Sequence, residues 1–339
     1  MHNFVFASDN VAGMHPSAWR HLETANAGAV VSYGEDPFTA EACDAVREVF
    51  GRDAAVYFVF NGTAANSLAL ATLCQPYQSV IVSRVAHAEL DECGAPEFFS
   101  GGSKLLLAGE AAGKMLPAEI ERLVTQRQDI HYPRVRAVSL TQPTEVGTVY
   151  SLDDLRQIRA VNERHGLALH MDGARFAQAV ASLDCSPGAI IEAAGVDVLS
   201  FGLVKLGLGL AEMVVFFNRP LGAGFDYRCK QAGQLASKMR FASAPVAPLL
   251  RTGEWLEIAR SNQAKARKLA DGLGALGVPL IYPVEANGVF VRFRPAVASG
   301  LRERGWHFYD FIGGSHRLMC HWATTDEGIE RFVRDVAAL

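Results

Sequence analysis

The chain of 339 residues has no apolar run approaching the roughly 20 residues that a bilayer crossing needs. Its first ten residues also lack the basic region and apolar stretch of a secretory leader, so a cytoplasmic protein with no membrane partner is expected. There is no cationic excess: 32 lysines and arginines stand against 36 acidic residues, a net charge of −4, which gives a phosphate backbone little to bind and argues against nucleic acid as partner. The six cysteines, at 43, 74, 93, 185, 229 and 320, form no Cys-x-x-Cys pair and no cluster with histidine at ligand spacing. They read as buried thiols, and no metal is expected. A P-loop is missing too. The run Gly207-Leu208-Gly209-Leu210-Ala211-Glu212 only imitates a dinucleotide fingerprint, because Glu212 stands where the third glycine belongs and a strand rather than a helix follows. That disfavours a nicotinamide dehydrogenase. No repeat of solenoid period occurs.

What is present is an ordinary globular composition, 50% hydrophobic and 20% charged, long enough for a large core in two domains. Short apolar runs at 55–60, 79–83, 104–107, 135–140, 168–172, 196–201 and 212–217 alternate with helical patterns such as 62–73, 117–125, 152–165 and 187–194. This alternation predicts an α/β domain whose sheet is covered on both faces. Beyond residue 220 the pattern changes to a long helical stretch, 225–276, broken near Pro245 and Pro248. Strands at 289–294, 307–312 and 317–322 and a closing helix at 326–338 predict a smaller α+β domain. The expected division is an N-terminal segment 1–30, a large domain 31–250 and a small domain 251–339. The N-terminal segment shows no strand and is expected to pack on either domain or on a neighbouring subunit.

Chemistry concentrates at predicted strand ends, the edge where open α/β sheets bind ligands. Asp172 closes the run Leu167-Ala168-Leu169-His170-Met171-Asp172, and Lys205 follows the run ending at Phe201-Gly202. Each alone fits a plainer role, a helix cap or a solvated loop lysine. Together they match what pyridoxal phosphate asks for: an amine to form the Schiff base, and an acid that keeps the pyridine nitrogen protonated. The turn Phe60-Asn61-Gly62-Thr63-Ala64-Ala65-Asn66 ends one strand and opens a helix, offering backbone N–H groups and a hydroxyl to a phosphate, or simply starting a helix. His87, just past the strand at 79–83, is placed to stack on a cofactor ring and to move protons near neutral pH, although a loop histidine is often only structural.

Read in order, Ser8-Asp9-Asn10, Tyr33-Gly34-Glu35-Asp36-Pro37, Gly62-Thr63-Ala64-Ala65-Asn66, the run 87–92, Thr144-Glu145-Val146-Gly147, and the runs 170–175 and 200–207 resemble the L-threonine aldolases over nearly the whole chain. The likeness is to their bacterial low-specificity branch. It implies an aspartate-aminotransferase-like large domain (fold type I of the pyridoxal phosphate enzymes) with a mixed, mostly parallel seven-stranded sheet, and a smaller α+β C-terminal domain. It also implies pyridoxal 5′-phosphate as cofactor, small amino acids and aldehydes as substrates, and a homo-oligomer, commonly a dimer of dimers, with active sites at the dimer interface. Under the resemblance Lys205 holds the cofactor, Asp172 meets the ring nitrogen and His87 stacks on the ring. Gly62 and Thr63 take the phosphate, and Arg240 reaches a phosphate of the neighbouring subunit. Ser8, Arg175 and Arg317 hold the substrate carboxylate, for which a planar guanidinium fork is suited. His131 stands near the substrate hydroxyl and Tyr33 is contributed across the dimer interface. The base for the hydroxyl is His87 or His131, directly or through water.

The implied activity is reversible cleavage of L-threonine, L-allo-threonine or related β-hydroxy-α-amino acids to glycine and an aldehyde. A β-eliminating lyase, an aminotransferase and a catalytically silent scaffold are the alternatives. Two departures mark the site as divergent or engineered. Leu203, Val204 and Leu206 surround the lysine where the family carries Gly-Thr-Lys-Asn, and no tryptophan follows Pro245. The apolar change beside Lys205 suggests weaker cofactor binding and a preference for bulky aldehydes, as in a phenylserine aldolase.

Overall fold

The computed structural model describes residues 6–339, so residues 1–5 of the expected N-terminal segment lie outside the described residues. Seven strands, β1 (Ala55–Val59), β2 (Gln78–Ser83), β3 (Lys104–Ala108), β6 (Arg134–Thr141), β7 (Ala168–Gly173), β8 (Val198–Phe201) and β9 (Glu212–Phe216), form one sheet in the order β1-β9-β8-β7-β6-β2-β3. The short β4 (Glu110–Ala111) and β5 (Lys114–Met115) make a separate hairpin. Every residue of β7, β8 and β9 is buried, as expected where helices cover both faces. One core cluster under the sheet gathers Ile81, Val138, Leu169, Met171, Leu199 and Phe201 with the flanking helices. A second, on the other face, gathers Val80, Val82, Val198, Val214 and Phe216 around the helix Gly62–Leu73.

β9 is antiparallel to both its neighbours, and the remaining pairs are parallel. The reason lies in the 202–211 connection, shorter than the dozen or so residues a parallel crossover requires. The chain turns back instead, and Lys205 sits in that turn.

A smaller antiparallel sheet, β10 (Gly288–Val291), β12 (Ser315–Met319) and β11 (Tyr309–Phe311) in that order, is backed by the helices Glu254–Ala275, Pro295–Glu303 and Asp326–Ala337. The N-terminal segment joins this unit. Phe6 is 1% exposed and lies 5.0 Å from the Phe332 ring and 5.9 Å from Trp306, and its carbonyl accepts the Met319 N–H at 2.9 Å. The long helical stretch expected over 225–276 is four helices, Phe225–Gln231, Arg240–Ser243, Val246–Thr252 and Glu254–Ala275. Pro248 falls in the first turn of the third, where proline is tolerated, and Gly253, at φ 78°, separates the last two. The expectation of buried thiols holds for Cys74, Cys229 and Cys320, while Cys43 and Cys185 are half-buried and Cys93 is exposed, in a turn at φ 54°. Among the described residues no helix is long and apolar enough to cross a membrane.

Candidate active site

The carboxyl ends of β1, β2, β6, β7 and β8 open onto one cavity of ≈ 550 Å³, lined among others by Ser8, Gly62, His87, Glu145, Asp172, Arg175, Lys205 and Arg317. Those five strands all point the same way, so their ends gather at one edge of the sheet. Close approach at the centre depends on Gly202. Its N–H donates to the Gly173 carbonyl at 3.1 Å, and a Cβ at 202 would lie 2.7 Å from the Ala174 backbone. The lysine turn and the aspartate turn therefore touch only because residue 202 has no side chain. Gly202→Ala is expected to push them apart, costing about 1–3 kcal/mol in stability, read as a lower urea midpoint, and to lower activity by more than that stability loss explains.

Asp172 is buried and fully engaged. Its Oδ1 accepts the Ala174 N–H at 3.0 Å and its Oδ2 accepts the Asn66 amide at 2.7 Å. The same Asn66 amide donates at 2.8 Å to Glu92, whose Oε1 lies 2.8 Å from His87 Nδ1. One polar chain thus links Asp172 to His87. The bond to Glu92 is the main cause raising the His87 pKa, against burial, while burial raises that of Glu92. Lys205 lies half-buried on a single 3₁₀ turn, Val204–Leu206, and makes no ion pair among the described residues. Glu212 supports that turn from β9, accepting the Leu203 N–H at 2.9 Å. Burial lifts its carboxyl to about 7, opposed by the Lys205 charge.

Two arginines enter from different sheets, Arg175 from the turn after β7 of the large one and Arg317 from β12 of the small one. Arg175 Nε and Nη2 donate to Asp9 Oδ2 and Oδ1 at 2.6 and 2.9 Å, and Asn287 adds a bond to Asp9 at 3.1 Å. Burial works to raise the Asp9 carboxyl, but Arg175 outweighs it and holds the group at about 2. One edge of the Arg175 fork is therefore already occupied by Asp9. Arg317, from β12, packs between Tyr309 and Phe311, 5.1 and 5.3 Å from their ring centres, and its Nε has no partner. Burial, with Arg175 nearby, lowers its pKa. Its unpaired fork faces the cavity that both rings help line.

Of the residues singled out in the sequence, Ser8, Gly62, His87, Asp172, Arg175, Lys205 and Arg317 line this cavity, and Thr63 follows Gly62 on the same helix. His131 does not. It precedes β6 on an exposed loop, its N–H bonded to Asp129, at the amino end of the strand whose other end meets the cavity. Eight strand residues separate the two ends by roughly 25 Å. Tyr33 and Arg240 also lie outside the cavity of their own chain. Tyr33 is exposed at φ 60° with the Lys230 ammonium 4.9 Å from its ring centre, and Arg240 donates to the Gly28 carbonyl at 3.4 Å. Leu203 and Leu206 are core residues rather than cavity walls. The apolar change beside the lysine therefore says nothing about the aldehyde, and apolar lining comes instead from Val85, Leu90, Tyr309, Phe311 and Ile312. Asp9, Asn66, Glu92 and Glu145 lie within segments quoted above but had received no role there; Glu212 stood in the false glycine fingerprint.

A family model for the beta-eliminating lyases matches residues 6–296. The low-specificity L-threonine aldolase of Pseudomonas aeruginosa is 54% identical over 99% of this chain and 97% of its own length. That of a further Pseudomonas strain is 52% identical over 98% and 97%. Among solved structures, the Leishmania major threonine aldolase superposes with a TM-score of 0.93 at 28% identity, covering 99% of both chains. The aspartate aminotransferase of Thermus thermophilus shares the fold, with a TM-score of 0.74 at 18% identity over 99% of this chain and 92% of that one. The chain has the aspartate-aminotransferase-like fold and belongs to the beta-eliminating lyase family, within it to the low-specificity L-threonine aldolases.

Proposed function

We propose that the cavity binds pyridoxal 5′-phosphate and cleaves L-threonine, L-allo-threonine and related β-hydroxy-α-amino acids to glycine and an aldehyde, reversibly. The observation that carries this reading is the convergence of an unpaired lysine, a hydrogen-bonded buried aspartate and two arginines on one cavity. The donor set fits the cofactor. The N–H groups of Gly62 and Thr63 open a twelve-residue helix without partners among the described residues, since Asn61 takes only those of Ala64 and Ala65. A Cβ at Gly62 would meet nothing within 4 Å, so that helix start borders open space able to admit a phosphate. Asp172 would serve the ring nitrogen, His87 the ring face and Lys205 the aldehyde. In this reading residues 31–250 are the cofactor domain, and residues 251–339 are the small domain that brings Arg317.

When bound, pyridoxal phosphate supplies a carbonyl for the amine and a ring that takes up the electron pair released at Cα. The chain does the rest. Arg317, with Ser8 and the free side of Arg175, holds the substrate carboxylate, which fixes the Cα–Cβ bond relative to the ring. Asn66 and the Ala174 N–H hold the Asp172 carboxylate in place for a positively charged ring nitrogen. The hydrogen bond to Glu92 fixes the His87 ring and leaves Nε2 toward the substrate. Arg317→Lys keeps the charge but loses the fork, and is expected to raise the KM for L-threonine about 10–100-fold with a smaller change in kcat.

The segments carrying Tyr33 and Arg240 pack together, the Tyr33 N–H donating to the Ser237 carbonyl at 3.0 Å. The exposed Tyr33 and the half-buried Arg240, whose Nε is buried without a partner, support a homo-oligomer in which both side chains serve the neighbouring site; the likeness to the aldolases adds a dimer of dimers in the cytoplasm. The test of the cofactor assignment is borohydride reduction of the purified holoprotein followed by peptide mapping. A phosphopyridoxyl adduct on Lys205 is expected; an unmodified Lys205 in a coloured protein would assign the cofactor elsewhere.

A further inference from the structure

Glu145 stands in the cavity wall just past the end of β6, bonded to two other cavity residues. Its Oε1 accepts the Thr141 hydroxyl at 2.7 Å and the His87 backbone N–H at 2.9 Å. Its Oε2 is buried and has no partner. Among the described residues no cation is paired with it: Arg175 is committed to Asp9, and neither Arg317 nor Lys205 forms an ion pair with it. A carboxylate on a half-buried side chain, held by two donors on one oxygen with the other buried and unpartnered, is built to gain a proton as well as to lose one.

Resting on the aldolase reading, we infer that Glu145 is the group that takes the proton of the substrate β-hydroxyl, relayed by the Thr141 hydroxyl that shares its Oε1 and also lines the cavity. In cleavage the substrate O–H bond breaks and its electron pair becomes the second bond of the aldehyde carbonyl. The Cα–Cβ bond breaks with its pair left on the amino-acid half. The hydroxyl proton passes to Thr141 Oγ as the Thr141 proton passes to Glu145, and a proton delivered to Cα completes glycine. In synthesis Glu145 gives the proton back. His87 has its Nδ1 taken up by Glu92 at 2.8 Å, which leaves it only Nε2 for a proton.

The titratable and charged groups that line the cavity with Glu145 are Asp172 from β7, His87 and Asp91 from the 87–90 helix and its end, Arg175 from the turn after β7, Lys205 from the turn after β8, Tyr309 and Asp310 from β11, and Arg317 from β12. Burial is the largest influence and lifts the carboxyl to about 7, with the Asp172 charge adding and the Thr141 and His87 donors opposing. A base must be ionised to act, so cleavage rises as pH rises through that range.

The test compares Glu145→Gln, Thr141→Val and Thr141→Ser in the holoenzyme. Exchange of the glycine α-hydrogen in heavy water needs the cofactor, the lysine and the carboxylate clamp but no hydroxyl base, so it reports everything except the proposed step. The expected result is a loss of about 10²-fold or more in L-threonine cleavage for Glu145→Gln and Thr141→Val, with glycine exchange within a few-fold of wild type and Thr141→Ser largely active. A carboxylic C=O infrared band titrating near 7 is expected in the wild type and missing from Glu145→Gln. Cleavage by Glu145→Gln within about threefold of wild type would overturn the inference, as would a parallel loss of cleavage and exchange, which would mean that Glu145 only positions His87. Absence of glycine exchange in the wild type would instead count against the aldolase reading itself.

Discussion

Lys205→Ala is expected to lower aldehyde release from L-threonine by on the order of 10³-fold or more while leaving the unfolding midpoint nearly unchanged. The two effects separate because the lysine turn is anchored by its neighbours. Leu203 and Leu206 are 0% and 5% exposed in the large core, and Glu212 accepts the Leu203 N–H. Lys205 itself has no ion pair to lose. Partial recovery with a small primary amine in the buffer would distinguish a missing amine from a collapsed site. Turnover within tenfold of wild type would remove Lys205 from the mechanism.

Asp9→Asn carries the second large effect, on stability and on substrate binding together. The substitution keeps the side-chain size but removes the charge from a bidentate pair whose carboxylate is 0% exposed. Arg175, its side chain 24% exposed in the cavity wall, is then left without its counter-ion, at a cost of about 2–3 kcal/mol. The freed guanidinium also loses its orientation, so the KM for L-threonine is expected to rise by about tenfold or more. The pH dependence has a definite sign. The folded Asp9 pKa, about 2, lies below its ordinary 3.8, so its contribution is present above pH 4 and is lost as pH falls from about 4 towards 2. The difference between the two values amounts to about 2 kcal/mol. Urea midpoints measured across that interval should show this loss in the wild type and lack it in Asp9→Asn. Equal acid slopes in the two proteins would contradict the pairing.

The sheet was legible because β7 and β8 are buried on both faces and read as mostly apolar runs, interrupted only by His170, Asp172 and Ser200, and the helices Gly62–Leu73 and Leu152–His165 because side-chain caps and the Gly166 stop mark their ends. Asp172 and Lys205 were legible for a related reason: the end of a buried strand can be found in sequence, and that edge binds ligands. His131 stands outside the cavity of its own chain because residue type does not tell which end of a strand a residue stands at, and here it precedes β6. The carboxylates were harder. Asp9, Glu92 and Glu145 resemble any other acidic residues until burial and partners 26 to 278 positions away in sequence define them, as Asn66 does for Glu92 and Asn287 for Asp9. Leu203 and Leu206 were read as a changed pocket because sequence does not show that their side chains turn into the core.

The central claim, that this lysine, aspartate and arginine pair serve carbon–carbon cleavage, is tested most directly by the product balance from L-threonine with the holoprotein. The account predicts acetaldehyde and glycine in equal amounts, unaffected by an added keto acid. Ammonia and 2-oxobutanoate in place of glycine, or glycine-free turnover dependent on a keto acid, would contradict it and assign the same cavity to elimination or transamination.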